Sequence, residues 1–390
     1  MTIPKTDLIW KKWPEVNELC EKKKIILWGR SQDWVHKTIP HLLHKPAYIV
    51  DSNPLYWNTT YCDLKVYNPK KLKQEKNFYI IITAGPYQSI VSNLKYRPGK
   101  DYCCTPAFYD FKILSELKPK KFIITVQDYD TKNHYRSSKM GGGIYHYDNG
   151  LKRLVKGQYR ALKKVNDRYY AIEFARREIH ILSKNLQLEK KIRLKITSLC
   201  GLAHYNGDFY ISSPAVDKVY VYDKNFDLKN EIALPNPGQH HINDIHVQDG
   251  FLYMSCFSIS GNWKRGIFDG GIISHDLNSG NRTYPVKDLW LPHSIDFMDN
   301  SLVYLDTMRG VLWKDNQQLG RFQGFMRGLA YDGRFYYIGQ SVDLYSSVRY
   351  KLADNIMLTA GVYIFDAETK TSKFIAFPGF TNIYSVMVVG

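Results

Sequence analysis

Apolar residues in this chain fall in short runs, and the segments between the runs change character near residue 120. Before that point the runs alternate with stretches of helical spacing. Lys24–Gly29 (Lys-Ile-Ile-Leu-Trp-Gly) reads as a buried strand ending at a glycine turn. Asp33–Leu43 sets Trp34, Val35, Ile39, Leu42 and Leu43 on one side of a helix that Pro40 interrupts. Ala47–Val50 is a second buried strand, ending at Asp51. Asn68-Pro69 caps a short helix, and Phe78–Thr83 is a further strand with helical spacing after it to about Leu94. Strands alternating with helices predict a parallel, Rossmann-like sheet over residues 1–118.

From residue 119 to 390 the helical spacing disappears. Apolar strand starts recur at Ala161-Leu162, Gly201–Ala203, Asp244–Val247, Ser294–Phe297, Gly328–Tyr331 and Ser385–Val388. Four lead into tight turns and aromatic strands, as in Asn206-Gly207-Asp208-Phe209-Tyr210 and Asp332-Gly333-Arg334-Phe335-Tyr336. Repeats of about 35–55 residues with four strands each predict propeller blades, six of them. Ser385–Val388 has no strands after it, and the set at Phe122–Val126, Gly143–Tyr147 and Leu151–Val155 lacks an inner strand. The C-terminal strand is therefore expected to complete that blade and close the ring.

Propeller geometry puts the starts of the inner strands and the loops between second and third strands on one face. Three of those loops are long, at 127–141, 258–270 and 340–360, longer than a compact fold needs. Polar residues stand at the strand starts: Tyr159 and Arg160, Ser198 and Cys200, the group Gln239-His240-His241-Ile242-Asn243, His293 and Ser294, Arg327, and Tyr384 and Ser385. His240, His241 and His293 are the candidate proton-transfer groups, and Arg327 suits a carboxylate or phosphate because guanidinium pairs with such groups through two hydrogen bonds. Asn243, Asn262, Trp263, Lys264, Arg265, Asp306, Arg309 and Tyr384 are candidate binding residues. Strand alternation puts His246 on the side of Asp244, where a packing role is expected. Imidazoles from separate blades could also hold a divalent metal, though no diagnostic spacing marks a ligand set.

Composition narrows the reading further. Aromatics at 14% and 30 tyrosines suit a strand-rich protein. A net charge of +17 favours anionic partners, acidic polysaccharide included. The lysines are scattered, and no basic helix or zinc-finger spacing accompanies them, which argues against nucleic acid. Six cysteines without a CxxC pair, and no apolar run long enough to cross a membrane, lead to the expectation of a reduced, cytoplasmic protein. Asp51 lies 22 residues after Gly29, where a dinucleotide fold places a ribose-binding carboxylate. The loop Gly29-Arg30-Ser31-Gln32-Asp33 holds one glycine rather than three, which argues against NAD.

Two resemblances add to this. Leu-Trp-Gly at 27–29, Val-Asp-Ser-Asn-Pro at 50–54 and Tyr-Ile-Ile-Ile-Thr-Ala-Gly at 79–85 resemble the small Rossmann-like domains of bacterial sugar-modifying enzymes, sugar acyltransferases among them, whose loops hold a nucleotide-sugar. From about residue 195, Gln-His-His-x-Asn-Asp-Ile-His-Val, Leu-Pro-His-Ser, Gly-Phe-Met-Arg-Gly-Leu-Ala and Ile-Tyr-Ser-Val-Met-Val resemble a bacterial propeller family of unassigned function associated with glycan assembly. That resemblance implies a role for His240, His241, Asn243, His293 and Arg327. The expectation is a carbohydrate-active protein of surface-glycan biosynthesis that binds an anionic sugar or sugar nucleotide at the propeller face and acts as a lyase, epimerase or transferase. The alternative is a non-catalytic propeller scaffold for a protein or glycan.

Overall fold

Where the chain carries strand after apolar strand, buried backbone amides and carbonyls find partners only in sheet ladders, and the computed structural model shows where those ladders run. It describes residues 7–108, 117–128, 140–342 and 357–389. The chain divides into two compact units, Met1–Glu116 and Leu117–Gly390.

The first unit is built on one six-stranded sheet. Its strands are β1 (Lys24–Trp28), β2 (Tyr48–Val50), β3 (Thr60–Tyr61), β4 (Leu64–Tyr67), β5 (Phe78–Ile82) and β6 (Tyr102–Cys104), in the spatial order β3-β4-β2-β1-β5-β6. Five strands run parallel and β3 is antiparallel to β4, so the sheet is mixed where the sequence predicted a parallel one. The departure has a local cause. Cys62 and Asp63 both take positive φ, 48° and 58°, the two-residue turn that folds a strand back beside itself. Alternate residues of β1 and β5 enter two apolar clusters, Ile25, Leu27, Tyr79 and Ile81 in one and Ile26, Ile80 and Ile82 in the other. Burial on both faces is why these strands read as unbroken apolar runs. The helix expected over Asp33–Leu43 is shorter. It runs α-helically from Val35 to Thr38 and tightens to a 3-10 turn at Ile39–His41, because Pro40 has no amide to continue the ladder.

The second unit is a six-bladed propeller. Five blades are four-stranded meanders with inner strands Tyr159–Val165, Leu202–Tyr205, Ile242–Gln248, His293–Met298 and Phe325–Tyr331; we number these blades 1 to 5. In blade 6 the inner strand is Ile383–Val388, which pairs antiparallel with Phe122–Val126 from the far end of the unit. The ring closes as the unpartnered terminal strand predicted. Inner hairpins turn at Asn206-Gly207, Asp249-Gly250 and Asp299-Asn300, each pair at positive φ, the twist a tight hairpin requires. Outermost strands such as Leu188–Arg193 and Leu228–Ala233 are almost wholly exposed and carry Lys, Arg and Glu, which blunts these sheet edges and takes up part of the positive charge.

Buried hydroxyls link successive blades. Near the end of a second strand, Thr125 donates to the Arg160 carbonyl at 2.9 Å, Ser212 to that of Asn243, Thr307 to that of Met326 at 2.8 Å, and Ser341 to that of Ile383 at 3.0 Å. Each acceptor lies at the start of the next blade's inner strand. These bonds fix those starts around the central axis.

Candidate functional site

The inner strands begin irregularly. In five of the six blades the pairing with the second strand slips at the start of the inner strand, between Tyr159 and Leu162, Ile242 and Ile245, His293 and Asp296, Met326 and Leu329, and Ile383 and Ser385. Such bulges re-aim the side chains at the slip. One residue from each blade then meets its neighbours around the axis: Arg160, Cys200, Asn243, His293, Arg327 and Tyr384.

The contacts run round this ring in order. The Cys200 thiol lies against Arg160 and donates to Asn243 Oδ1 at 3.0 Å. Asn243 Nδ2 lies 3.2 Å and Arg327 Nη2 2.9 Å from His293 Nε2. The guanidinium carbons of Arg327 and Arg160 stand 4.2 and 5.3 Å from the centre of the Tyr384 ring, closing the circle. Because Arg327 and Asn243 both donate to His293 Nε2, its proton sits on Nδ1, which faces the Leu291 carbonyl at 2.8 Å and Thr307 Oγ1 at 2.9 Å. Burial first, and the Arg327 charge second, hold the His293 imidazole well below its ordinary proton affinity. Arg327 has no carboxylate partner among the described residues, and its Nε is buried with no hydrogen-bond acceptor.

Beneath the ring lies a cavity of about 280 Å³ along the axis, with both polar and apolar walls. Arg160 and Tyr384 line it at the ring, with Asp244, Ser294 and Ser385 next and Lys163, His246 and Asp296 deeper. Burial raises the Asp244 carboxyl's pKa, against the pull of the Ser294 amide at 2.7 Å and of the charges on Arg327 and Arg160. The Asp296 carboxylate is 38% exposed to the channel and lies 3.0 Å from His246 Nδ1. Burial alone would raise its pKa; the hydrogen bond from His246 and the charges of His246 and Lys163 carry it below the usual range.

The residues singled out in the sequence separate into groups. Asn243, His293, Arg327 and Tyr384 stand together in the ring. His241, at φ 54°, lies beside it, its ring 4.5 Å from Phe257 and stacked 4.2 Å from Trp263. Burial, then the charges of Arg160 and Arg327, take its pKa down to about 3. His240 is held elsewhere: Nδ1 faces the Ser258 carbonyl at 2.9 Å and Nε2 the Pro235 carbonyl at 2.8 Å. Asn262 precedes the short turn that carries Trp263, and Lys264 and Arg265 on it are exposed. Asp306 and Arg309 pair with each other at 3.1 Å, and Asp306 accepts the Trp290 amide at 2.8 Å, so they clip their own loop. Most of the long loops at 127–141 and 340–360 lies outside the described residues.

Arg160 and Cys200 complete the ring although only their positions at strand starts marked them. His246, for which the sequence predicts packing, lies 3.0 Å from Asp296 and lines the cavity with it. Alternation of Asp244 with His246 was the signal, since both line the cavity. In the first unit, Asp51 accepts the backbone amides of Arg30 at 2.6 Å and Asn53 at 2.8 Å, one on each carboxylate oxygen. Gly29 sits at φ 107°, and a Cβ there would lie 2.4 Å from Cβ of Ala84. No group of three or more His, Cys, Asp or Glu side chains among the described residues is placed to hold a metal ion.

Fold and site together define a six-bladed β-propeller with an axial cavity under a ring of interlocked side chains. No family model and no curated protein matches the sequence. Among solved structures, a chain from a nidogen/laminin complex is similar at 15% identity and a TM-score of 0.50, covering 68% of this chain and 97% of that one. A luciferin-regenerating enzyme (10% identity, TM-score 0.43, 58% of this chain and 78% of that one) and virginiamycin B lyase from Staphylococcus aureus (12%, 0.42, 66% and 88%) are similar more distantly. At such identities the likeness concerns the fold alone. Nothing in it bears on glycan assembly. No helix among the described residues is long and apolar enough to cross a membrane.

Proposed function

We propose that the propeller binds an anionic sugar or sugar nucleotide, with the negative group at Arg160 and Arg327 and the sugar body in the cavity beneath. One observation carries the reading: two guanidinium groups from different blades converge on the ring of Tyr384, and Arg327 has no carboxylate partner among the described residues. A guanidinium held in place by stacking loses little further freedom on binding an anion. Its donors face a carboxylate or phosphate in a site largely withdrawn from water, where the interaction is strong. Hydroxyls and carboxylates lining the cavity suit a polyhydroxylated body. A setting in surface-glycan assembly rests on the sequence resemblance. A cytoplasmic location is supported by the six cysteines, all free and five of them buried. For the first unit we read β2-β1-β5 as the centre of a Rossmann-like sheet whose Asp51 ties loops together rather than holding a ribose.

Isothermal titration with glucuronate, galacturonate and UDP-glucuronate, with glucose as the neutral control, tests this. Wild type should bind at least one of the anions and not glucose. Arg327→Met, which keeps the stem packing, should weaken binding about ten-fold or more, since hydrogen bonds to charged groups contribute roughly 1.5–3 kcal/mol. If none of the anions binds, or the variant binds as well as wild type, the anion site is wrong and the scaffold reading takes its place.

A further inference from the structure

Of three histidines at the ring face, two have both ring nitrogens engaged and the third is stacked between aromatic rings. Both ring nitrogens of His240 face backbone carbonyls, those of His293 face the ring and the Leu291 carbonyl, and His241 is stacked between Phe257 and Trp263. His246 differs. Its Nδ1 lies 3.0 Å from Asp296 Oδ1, and no partner stands at Nε2 among the described residues. His246 and Asp296 line the same cavity as Arg160 and Tyr384. Lys163, Asp244 and Tyr331 are the other titratable groups on its wall.

We propose that His246, oriented by Asp296, is the proton-accepting group of the cavity and receives a hydroxyl of the ligand at Nε2. A carboxylate at Nδ1 fixes the N–H there and leaves the Nε2 lone pair for a ligand, as in carboxylate–histidine pairs generally. His246 follows the ring residue Asn243 by three positions on an extended strand, about 10 Å at the usual rise. A monosaccharide with its anionic group at the arginines spans that distance to its far hydroxyl. The proton passes from that hydroxyl to Nε2, the O–H electron pair stays on the ligand oxygen, and the imidazolium is held by Asp296. The proposal rests on the anion reading only for the ligand's identity.

The test is carbethoxylation of the full-length protein with diethyl pyrocarbonate at neutral pH, mapped by mass spectrometry. His246 should be modified, along with exposed His36, while His240 and His293 stay protected. Asp296→Asn should change the reaction rate at His246 by about three-fold or more, because the neighbouring carboxylate orients the ring and fixes which nitrogen carries the proton. A merely solvated histidine would react at the same rate in both. No modification of His246 under conditions that modify His36, or an unchanged rate in Asp296→Asn, overturns the proposal. Glucuronate that binds by titration should protect His246. Binding without protection overturns the proposal and leaves the arginine site standing, whereas absence of binding removes the arginine site and leaves the labelling rates to decide His246.

Discussion

Ending the chain at Phe380 would remove the strand that closes the propeller, and the structure gives the cost. Ile383, Tyr384 and Val386 are at most 9% exposed. At roughly 1.5–3 kcal/mol for each large side chain returned to water, the loss is about 5–9 kcal/mol. Thr125 and Ser341 also lose partners: Thr125 Oγ1 pairs with Ser385 Oγ at 2.8 Å, and Ser341 Oγ with the Ile383 amide and carbonyl, both at 3.0 Å. Each buried polar group left unsatisfied adds about 1–3 kcal/mol. Phe122–Val126, buried throughout, would become a bare edge. A domain is typically stable by only about 5–15 kcal/mol, so the truncated propeller is expected to be unfolded at room temperature. Far-UV circular dichroism during thermal and urea unfolding measures this, and a synthetic peptide of residues 381–389 added in trans should restore part of the strand signal. A truncated protein that melts within about 3 °C of the full chain, the shift that only about 1 kcal/mol produces in a domain of this size, would refute the closure argument.

Two further substitutions probe other parts of the fold. Gly29→Ala forces a Cβ against Ala84 at a positive φ and should destabilise the first unit by about 2–4 kcal/mol, with Ala84→Gly in the same chain recovering part of the loss in urea titrations. Burial lifts the Asp306 carboxyl to about 6, against the Trp290 amide and the Arg309 charge. The folded state therefore keeps a proton that the unfolded chain releases, and this group's share of stability falls by about 3 kcal/mol as pH rises from about 4 to 6. Asp306→Asn should lack that decline; equal pH dependence of the two proteins would show the carboxyl titrating normally.

The blades were legible because their signals are local. Asn206-Gly207 and Asp249-Gly250 announce hairpins by the positive φ such turns need, and period-two burial marks the strands between them. Ring closure also followed from the sequence, since an unpaired strand and a blade short of one strand complement each other. In the first unit, alternation of strand and helix was plain, but the turn at Cys62-Asp63 carries neither Gly nor Asn, so the antiparallel strand it creates was not foreseen.

Tertiary structure decided the site. A one-residue slip moves a strand's side chains to its other face, and the pairing slips between Ile242 and Ile245, between the paired histidines and His246. Alternation counted back from Asp244 therefore could not say where His240 and His241 point. His240 turns toward two carbonyls, His241 stacks on Trp263, and His246 lines the cavity with Asp296, which is 50 positions later in the sequence. The sequence by itself determined six blades and the face on which polar strand starts gather. Only the closed ring determined that Arg160, Cys200, Asn243, His293, Arg327 and Tyr384 interlock, because each contact joins different blades and depends on bulges that no local pattern records.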